Sequence, residues 1–190
     1  MDGLIAIAVS IGTALVCLAI FGAVSTAIVG RTVRRISRRD AAAFVTEGVA
    51  SVATATAIRS NSDFFGHAQW SPDSGRRCVL AVTEDAIVLW SAAAVAVGTI
   101  PAASIESISA GQVPTGGGTW MNGFHITVDV HGDVQELAFM VTSRVSLGLF
   151  QASSAAVDNL VAHLREALHV GGRTESTAPA RRHPRGGTTK

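Results

Sequence analysis

The sequence has 190 residues, of which 48% are hydrophobic, and a formal net charge of +1. Two isolated cysteines, Cys17 and Cys78, exclude a disulfide framework and a cysteine-rich metal site. This length accommodates one membrane span and a single further domain with a tail.

The first feature of the chain is an uncharged run from Gly3 to Gly30. A helix needs about 20 apolar residues to cross a bilayer core, so this run is long enough to cross with some tilt. A cleaved signal peptide is the alternative, with Ala23 and Ser25 as small residues at a cleavage site. Such a peptide begins with basic residues and has an apolar core of about 7–15 residues, whereas this run is longer and follows Asp2. We therefore expect a transmembrane anchor.

Basic residues follow the run directly and set its orientation. They are Arg31, Arg34, Arg35, Arg38 and Arg39. Short flanks rich in arginine stay in the cytoplasm, which predicts an N-terminus outside the cell (inner) membrane and a cytoplasmic domain, with these arginines at the membrane interface. Small residues at four-residue spacing, such as Gly22, Thr26 and Gly30, would let two spans pack as a homodimer. A span that is simply rich in alanine and glycine is the other interpretation.

Charge is segregated along the rest of the chain. Residues 40–170 hold five arginines against twelve acidic residues, a net charge of −7, whereas residues 171–190 carry +4. An acidic domain is a poor general binder of nucleic acid or anionic lipid.

Residues 40–59 combine an alanine-rich first half with a β-branched second half. We predict a helix up to about Glu47 and then a strand. From Phe64 onward, short apolar runs alternate with turn residues and predict an antiparallel β domain. Its seven expected strands are Phe64–Trp70, Arg77–Thr83, Ala86–Trp90, Val95–Ile100, a short edge strand at Ile105–Ile108, and a hairpin of Phe124–Val130 with Val134–Val141.

The last predicted element is an amphipathic helix capped by Ser153 or Ser154 and ended by Gly171 and Gly172. Its apolar stripe consists of Val157, Leu160, Val161, Leu164 and Leu168. The remaining residues, 171–190, are rich in Pro, Gly, Ser and Thr, and they predict a disordered basic tail.

Seven antiparallel strands and one helix predict a bent sandwich or partial barrel capped by the helix. The segments Gly66–Trp70, Cys78–Trp90 and Ile100–Ile108 resemble the pleckstrin-homology-like (PH-like) families, including the GRAM and bacterial PH-like families. The resemblance implies a binding or scaffolding module, since some relatives recognise lipid headgroups or peptides. Headgroup binding would need clustered basic residues at the first hairpin, where this chain has only Arg76 and Arg77. These two are the candidate ligand contacts.

The chain therefore divides into four expected parts. They are a transmembrane anchor (1–30), a basic collar with juxtamembrane stalk and first strand (31–59), a PH-like β domain with its C-terminal helix (60–170), and the basic tail (171–190).

No arrangement of residues predicts catalysis, a metal or a cofactor. His125 and Asp129 share a strand face opposite Phe124, and we expect the six histidines to face solvent because none has the spacing of zinc ligands. The glycine-rich stretch from Gly111 to Gly123 lacks phosphate-binding spacing and predicts a flexible loop. The three tryptophans, Trp70, Trp90 and Trp120, are expected in the core or on the membrane-facing side.

Two functions follow from these patterns. The first is a single-pass membrane protein that displays a non-catalytic PH-like scaffold to an unknown protein partner, with no small-molecule substrate. The alternative is a membrane tether whose basic tail, with Arg181, Arg182 and Arg185, docks on anionic lipid or nucleic acid.

Overall fold

The computed structural model describes residues 13, 16, 27, 30–37, 44–66, 77–91, 93–115, 118–142 and 151–170. Its described residues form seven strands, three helices with defined bounds and a short 3-10 turn at Ala102–Ser104, and residues 30–37 are helical as well. The strands are β1 (Phe44–Ala50), β2 (Arg77–Val82), β3 (Ala86–Ser91), β4 (Ala96–Pro101), β5 (Ile105–Pro114), β6 (Trp120–Val130) and β7 (Asp133–Met140). The helices are α1 (Val52–Ser60), α2 (Ser62–Phe65) and α3 (Ser154–Ala167).

All strand pairs are antiparallel and form one sheet in the order β4-β3-β2-β1-β7-β6-β5. The mainly antiparallel β class with a C-terminal helix is therefore confirmed. Strands β1–β4 and β5–β7 are two meanders joined by the pairs Val49↔Met140 and Ala50↔Phe139. The predicted hairpin of β6 and β7 is also confirmed, and its turn residues His131 and Gly132 have φ of 56° and 92°, values typical of tight hairpin turns.

The prediction for residues 40–59 is wrong, because the strand precedes the helix. Phe44–Ala50 is a strand between β2 and β7, and Val52–Ser60 is the helix α1. Ser51 starts α1 by accepting a hydrogen bond from Thr54 N on its Oγ. The Thr54 hydroxyl is fully buried and bonds both the N–H and the carbonyl of Ala138 on β7. This cap and these tertiary contacts outweigh the β preference of the β-branched residues.

The strand predicted at Phe64–Trp70 is wrong at its start, and residues 67–70 lie outside the described residues. Phe64 and Phe65 end the helix α2 instead. Phe65 is fully buried and its ring meets that of Phe64 edge to face at a centroid distance of 4.9 Å. Phe65 lies in the core and Phe64 packs half-buried against it, and both backbone N–H groups donate to the Asn61 carbonyl in a helical turn.

One face of the sheet, together with the helices, encloses the main core. Both meanders contribute, with residues such as Leu80 and Leu89 from the first and Phe124 and Phe139 from the second. Helix α3 covers this face with its predicted stripe, of which Val157, Val161, Leu164 and Leu168 are buried and Leu160 is partly buried. Ser153 caps α3 by accepting a hydrogen bond from Ala156 N at 3.3 Å.

The opposite face of β1–β3 is covered by the helical residues 30–37. Ile36 is buried and Val33 half-buried against Val79 and Ala81 of β2, with Val45, Val88 and Trp90 around them. The segment just after the predicted span therefore packs against the domain.

Most of the predicted span, residues 1–30, lies outside the described residues, as does the predicted tail, residues 171–190. The exceptions in the span are residues 13, 16, 27 and 30, which are helical. Within the described ranges, no helix has both the length and the apolar character needed to cross a bilayer.

Candidate binding surfaces

The structure describes four of the seven arginines that were predicted to contact the membrane or a ligand. Arg31, Arg34 and Arg35 are exposed on helical residues 30–37, on the side opposite the buried Thr32 and Ile36. Arg38 and Arg39, like Arg76, lie outside the described residues. Arg77 is half-buried at the start of β2, where it pairs in register with Val49. The helical arginines therefore form one basic surface, and Arg77 belongs to the sheet.

The histidines within the described residues take part in separate local contacts. His125 lies on the predicted face of β6, but its side chain is only 19% exposed. Its Nδ1 lies 2.5 Å from Glu136 Oε1 on β7 and its Nε2 lies 3.2 Å from the Gln112 carbonyl on β5. The ring thus links three strands. In the described part of the chain, no group of three or more His, Cys, Asp or Glu could hold a metal ion.

Cys78 is a free cysteine among the residues that the structure describes, and its side chain lies in the core. Burial raises its pKa to about 12, because the apolar surroundings disfavour the thiolate. The group is therefore a neutral thiol at physiological pH and lacks the thiolate that nucleophilic chemistry requires.

A cavity of about 600 Å³ opens where the β2–β3 turn, the start of β5 and the end of α3 meet. Four carboxylates line it, from Glu84, Asp85, Glu106 and Asp129. The C-terminal end of α3 adds the negative end of the helix dipole. His169, just after α3, lies 3.8 Å from Glu84. The cavity therefore repels anionic groups such as lipid phosphates.

A second surface runs along β5, which is an edge strand of ten residues. Within the described residues, β5 pairs with β6 alone. Beside it lies a groove of about 220 Å³, lined by Ala110, Gly111, Gln112, Asn122, Ser154, Val157 and Asp158. Arg165 Nε on α3 donates to the Ile108 carbonyl at 2.8 Å. The helix therefore supports one stretch of β5, while Ala110 and Gln112 remain exposed.

Asn122 fixes the helix end of this groove. Its backbone N–H donates to Gln151 Oε1 at 3.0 Å and its Nδ2 donates to the Ala152 carbonyl at 2.9 Å, immediately before α3. From the other side, Gln112 Nε2 donates to Asn122 Oδ1 at 3.0 Å. The groove is thus preformed by side-chain contacts between β5, β6 and the start of α3.

Sequence reasoning missed this surface, because the stretch from Gly111 to Gly123 was expected to be a loop. In the structure β5 continues to Pro114 and β6 begins at Trp120. Val113 and Met121 are single apolar residues on the two sides of the glycine run, and one such residue on each side is too short a pattern to indicate a strand.

Comparison of the chain with protein-family models, with curated proteins and with solved structures found no match.

Proposed function

We propose that this chain is a single-pass protein of the cell (inner) membrane that displays a non-catalytic, PH-like interaction domain in the cytoplasm. The uncharged run from Gly3 to Gly30 and the arginines after it support the anchor and its orientation. The two meanders, their shared core and the final helix support a bent PH-like sandwich.

The observation that carries the interaction function is the exposed edge of β5 around Ala110, beside its groove and between the Ile108 and Gln112 carbonyl groups that Arg165 and His125 contact. An extended segment of another protein can add to such an edge, with main-chain hydrogen bonds for affinity and pockets for alternate side chains. The groove beside Ala110 and Gln112 supplies such a pocket. A protein segment is favoured over a lipid headgroup, since the domain is acidic and the cavity between the β2–β3 turn, β5 and α3 contains four carboxylates.

The experiment is site-specific photocrosslinking of the full chain in membranes of cells that produce it. A photoreactive residue is placed in turn at Ser109, Ala110 and Gln112, with exposed Val95 in the β3–β4 turn as the control. If the partner adds a strand to β5, all three positions should crosslink to one segment of the same partner. Moving the photoreactive residue along β5 should then move the crosslinked partner residue by the same number of positions. Adducts without this register, or equal adducts at Val95, would contradict the proposal.

A further inference from the structure

The β5–β6 hairpin extends beyond its neighbouring strand. Among the described residues, the last backbone hydrogen bond from the β7 side joins Val141 N to the Asn122 carbonyl at 3.1 Å. Two further pairs follow, Val113↔Met121 and Pro114↔Trp120. At about 3.4 Å per residue, these pairs carry the hairpin about 7 Å farther. Its end is closed by a hydrogen bond from Thr115 N to the Thr119 carbonyl at 3.0 Å.

This projecting end carries Trp120, which is 60% exposed. Trp90, in contrast, packs half-buried beneath residues 30–37. Tryptophan combines a large apolar ring system with a polar N–H group, a combination enriched where membrane meets water. Trp120 therefore does not pack in the core, and its ring is open to a contact outside the domain.

The charge of the hairpin favours a lipid surface. Residues 107–124 contain no Asp, Glu, Lys, Arg or His, although the surrounding residues 40–170 carry −7. An acidic surface is repelled by the anionic headgroups of a cytoplasmic leaflet. The hairpin can approach that leaflet without bringing a carboxylate into it.

We propose that the β5–β6 hairpin inserts Trp120 into the headgroup boundary of the bilayer, as a second membrane contact of the domain. The inference rests on the proposed function, because one tryptophan binds a bilayer weakly and the span supplies a high effective concentration. The contact orients the domain and holds the groove at Gln112 close to the membrane surface. The partner segment that reaches this groove is then the juxtamembrane part of another membrane protein.

The test uses the full chain in phosphatidylcholine vesicles with and without brominated acyl chains, which quench tryptophan at the interface. The fluorescence of Trp120 is obtained as the difference between the wild-type chain and Trp120→Phe. Brominated lipid should reduce this difference about twofold, because the ring lies at the headgroup boundary. The control Val95→Ala, at the exposed β3–β4 turn, should leave the quenching unchanged.

Flotation of the vesicles distinguishes failure of the hairpin contact from failure of the membrane span. A chain that floats with vesicles but has an unquenched Trp120 would overturn the hairpin contact alone, including the case in which Trp120 serves a protein partner. A chain that does not float would overturn the span, and the hairpin contact with it.

Discussion

Among the described glycines, Gly123 on β6 is the position where an added methyl group should destabilise the fold most. A Cβ built there overlaps the carbonyl oxygen of Phe139 and lies 2.8 Å from Val113 Cγ2 and 3.0 Å from Met140 Cα. Two of these atoms are backbone of β7, so the strain cannot be relieved by a side-chain rotation. Overpacking a core costs about 1–3 kcal/mol, and we expect Gly123→Ala at the upper end of that range.

The matched control is Gly111→Ala, since Gly111 pairs directly with Gly123 on the neighbouring strand. Its Cβ would lie 3.0 Å from two atoms of the His125 ring, which is a movable side chain. We expect a loss of about 1 kcal/mol, comparable to weakening the hydrogen bonds of His125.

Denaturant unfolding of the full chain in mild detergent, followed by tryptophan fluorescence, measures both effects. In a His125→Ala background the effect of Gly111→Ala should disappear, because the obstructing ring is gone, whereas that of Gly123→Ala should persist. Equal destabilisation by the two glycine substitutions, or rescue of Gly123→Ala by His125→Ala, would refute the steric reasoning.

Three further predictions concern the core and the N-terminal arginines. Thr54→Val keeps the side-chain shape but leaves the Ala138 amide without the Thr54 hydroxyl, which accepts its hydrogen bond at 2.6 Å; the midpoint of denaturation should fall by an amount equivalent to about 1–3 kcal/mol, and an unchanged midpoint would contradict this. The buried Cys78 thiol, with its pKa raised from 9.0 to about 12, keeps its proton where the unfolded thiol loses it. The free energy of unfolding should therefore fall between pH 9 and about 12, by roughly 1.4 kcal/mol per pH unit, and this slope should be absent in Cys78→Ala. Replacing the five arginines of residues 31–39 by glutamine should disturb the topology or the domain placement, measured by protease accessibility from each side of the membrane, and no change would count against their interfacial role.

Local patterns predicted those elements whose residues carry a strong and regular signal. The stripe from Val157 to Leu168 and the alternation in Phe124–Val130 identified α3 and β6, since each depends on one repeated spacing. Residues 44–65 were misassigned because contacts with a strand more than eighty residues away decide them, as the bond between Thr54 and Ala138 shows. Local propensity contains no information on such a contact.

In the candidate binding surfaces too, local sequence patterns predicted some residues, whereas contacts formed only on folding determined the others. The exposed arginines at 31, 34 and 35 were identifiable from the sequence, because their i, i+3 and i+4 spacing places them on one side of a helix. The β5 groove was not identifiable, since it forms between a strand and a helix that meet only after the chain has folded. Glycine between residues 111 and 123 indicated a loop, whereas Gly111 and Gly123 face each other in adjacent strands.

The position of β1 determines how the domain responds to mechanical load. It is the first strand of the chain, yet it lies in the middle of the sheet, paired with β2 at six positions and with β7 at two. The helical residues 30–37 ahead of it pack on the sheet through Ile36. A force that displaces them and then acts along the axis of β1 meets hydrogen bonds that are perpendicular to that axis. These bonds share the load and must break together, whereas an edge strand pulled sideways would lose them one at a time. The described part of the chain therefore enters the sheet through a strand that is held on both sides.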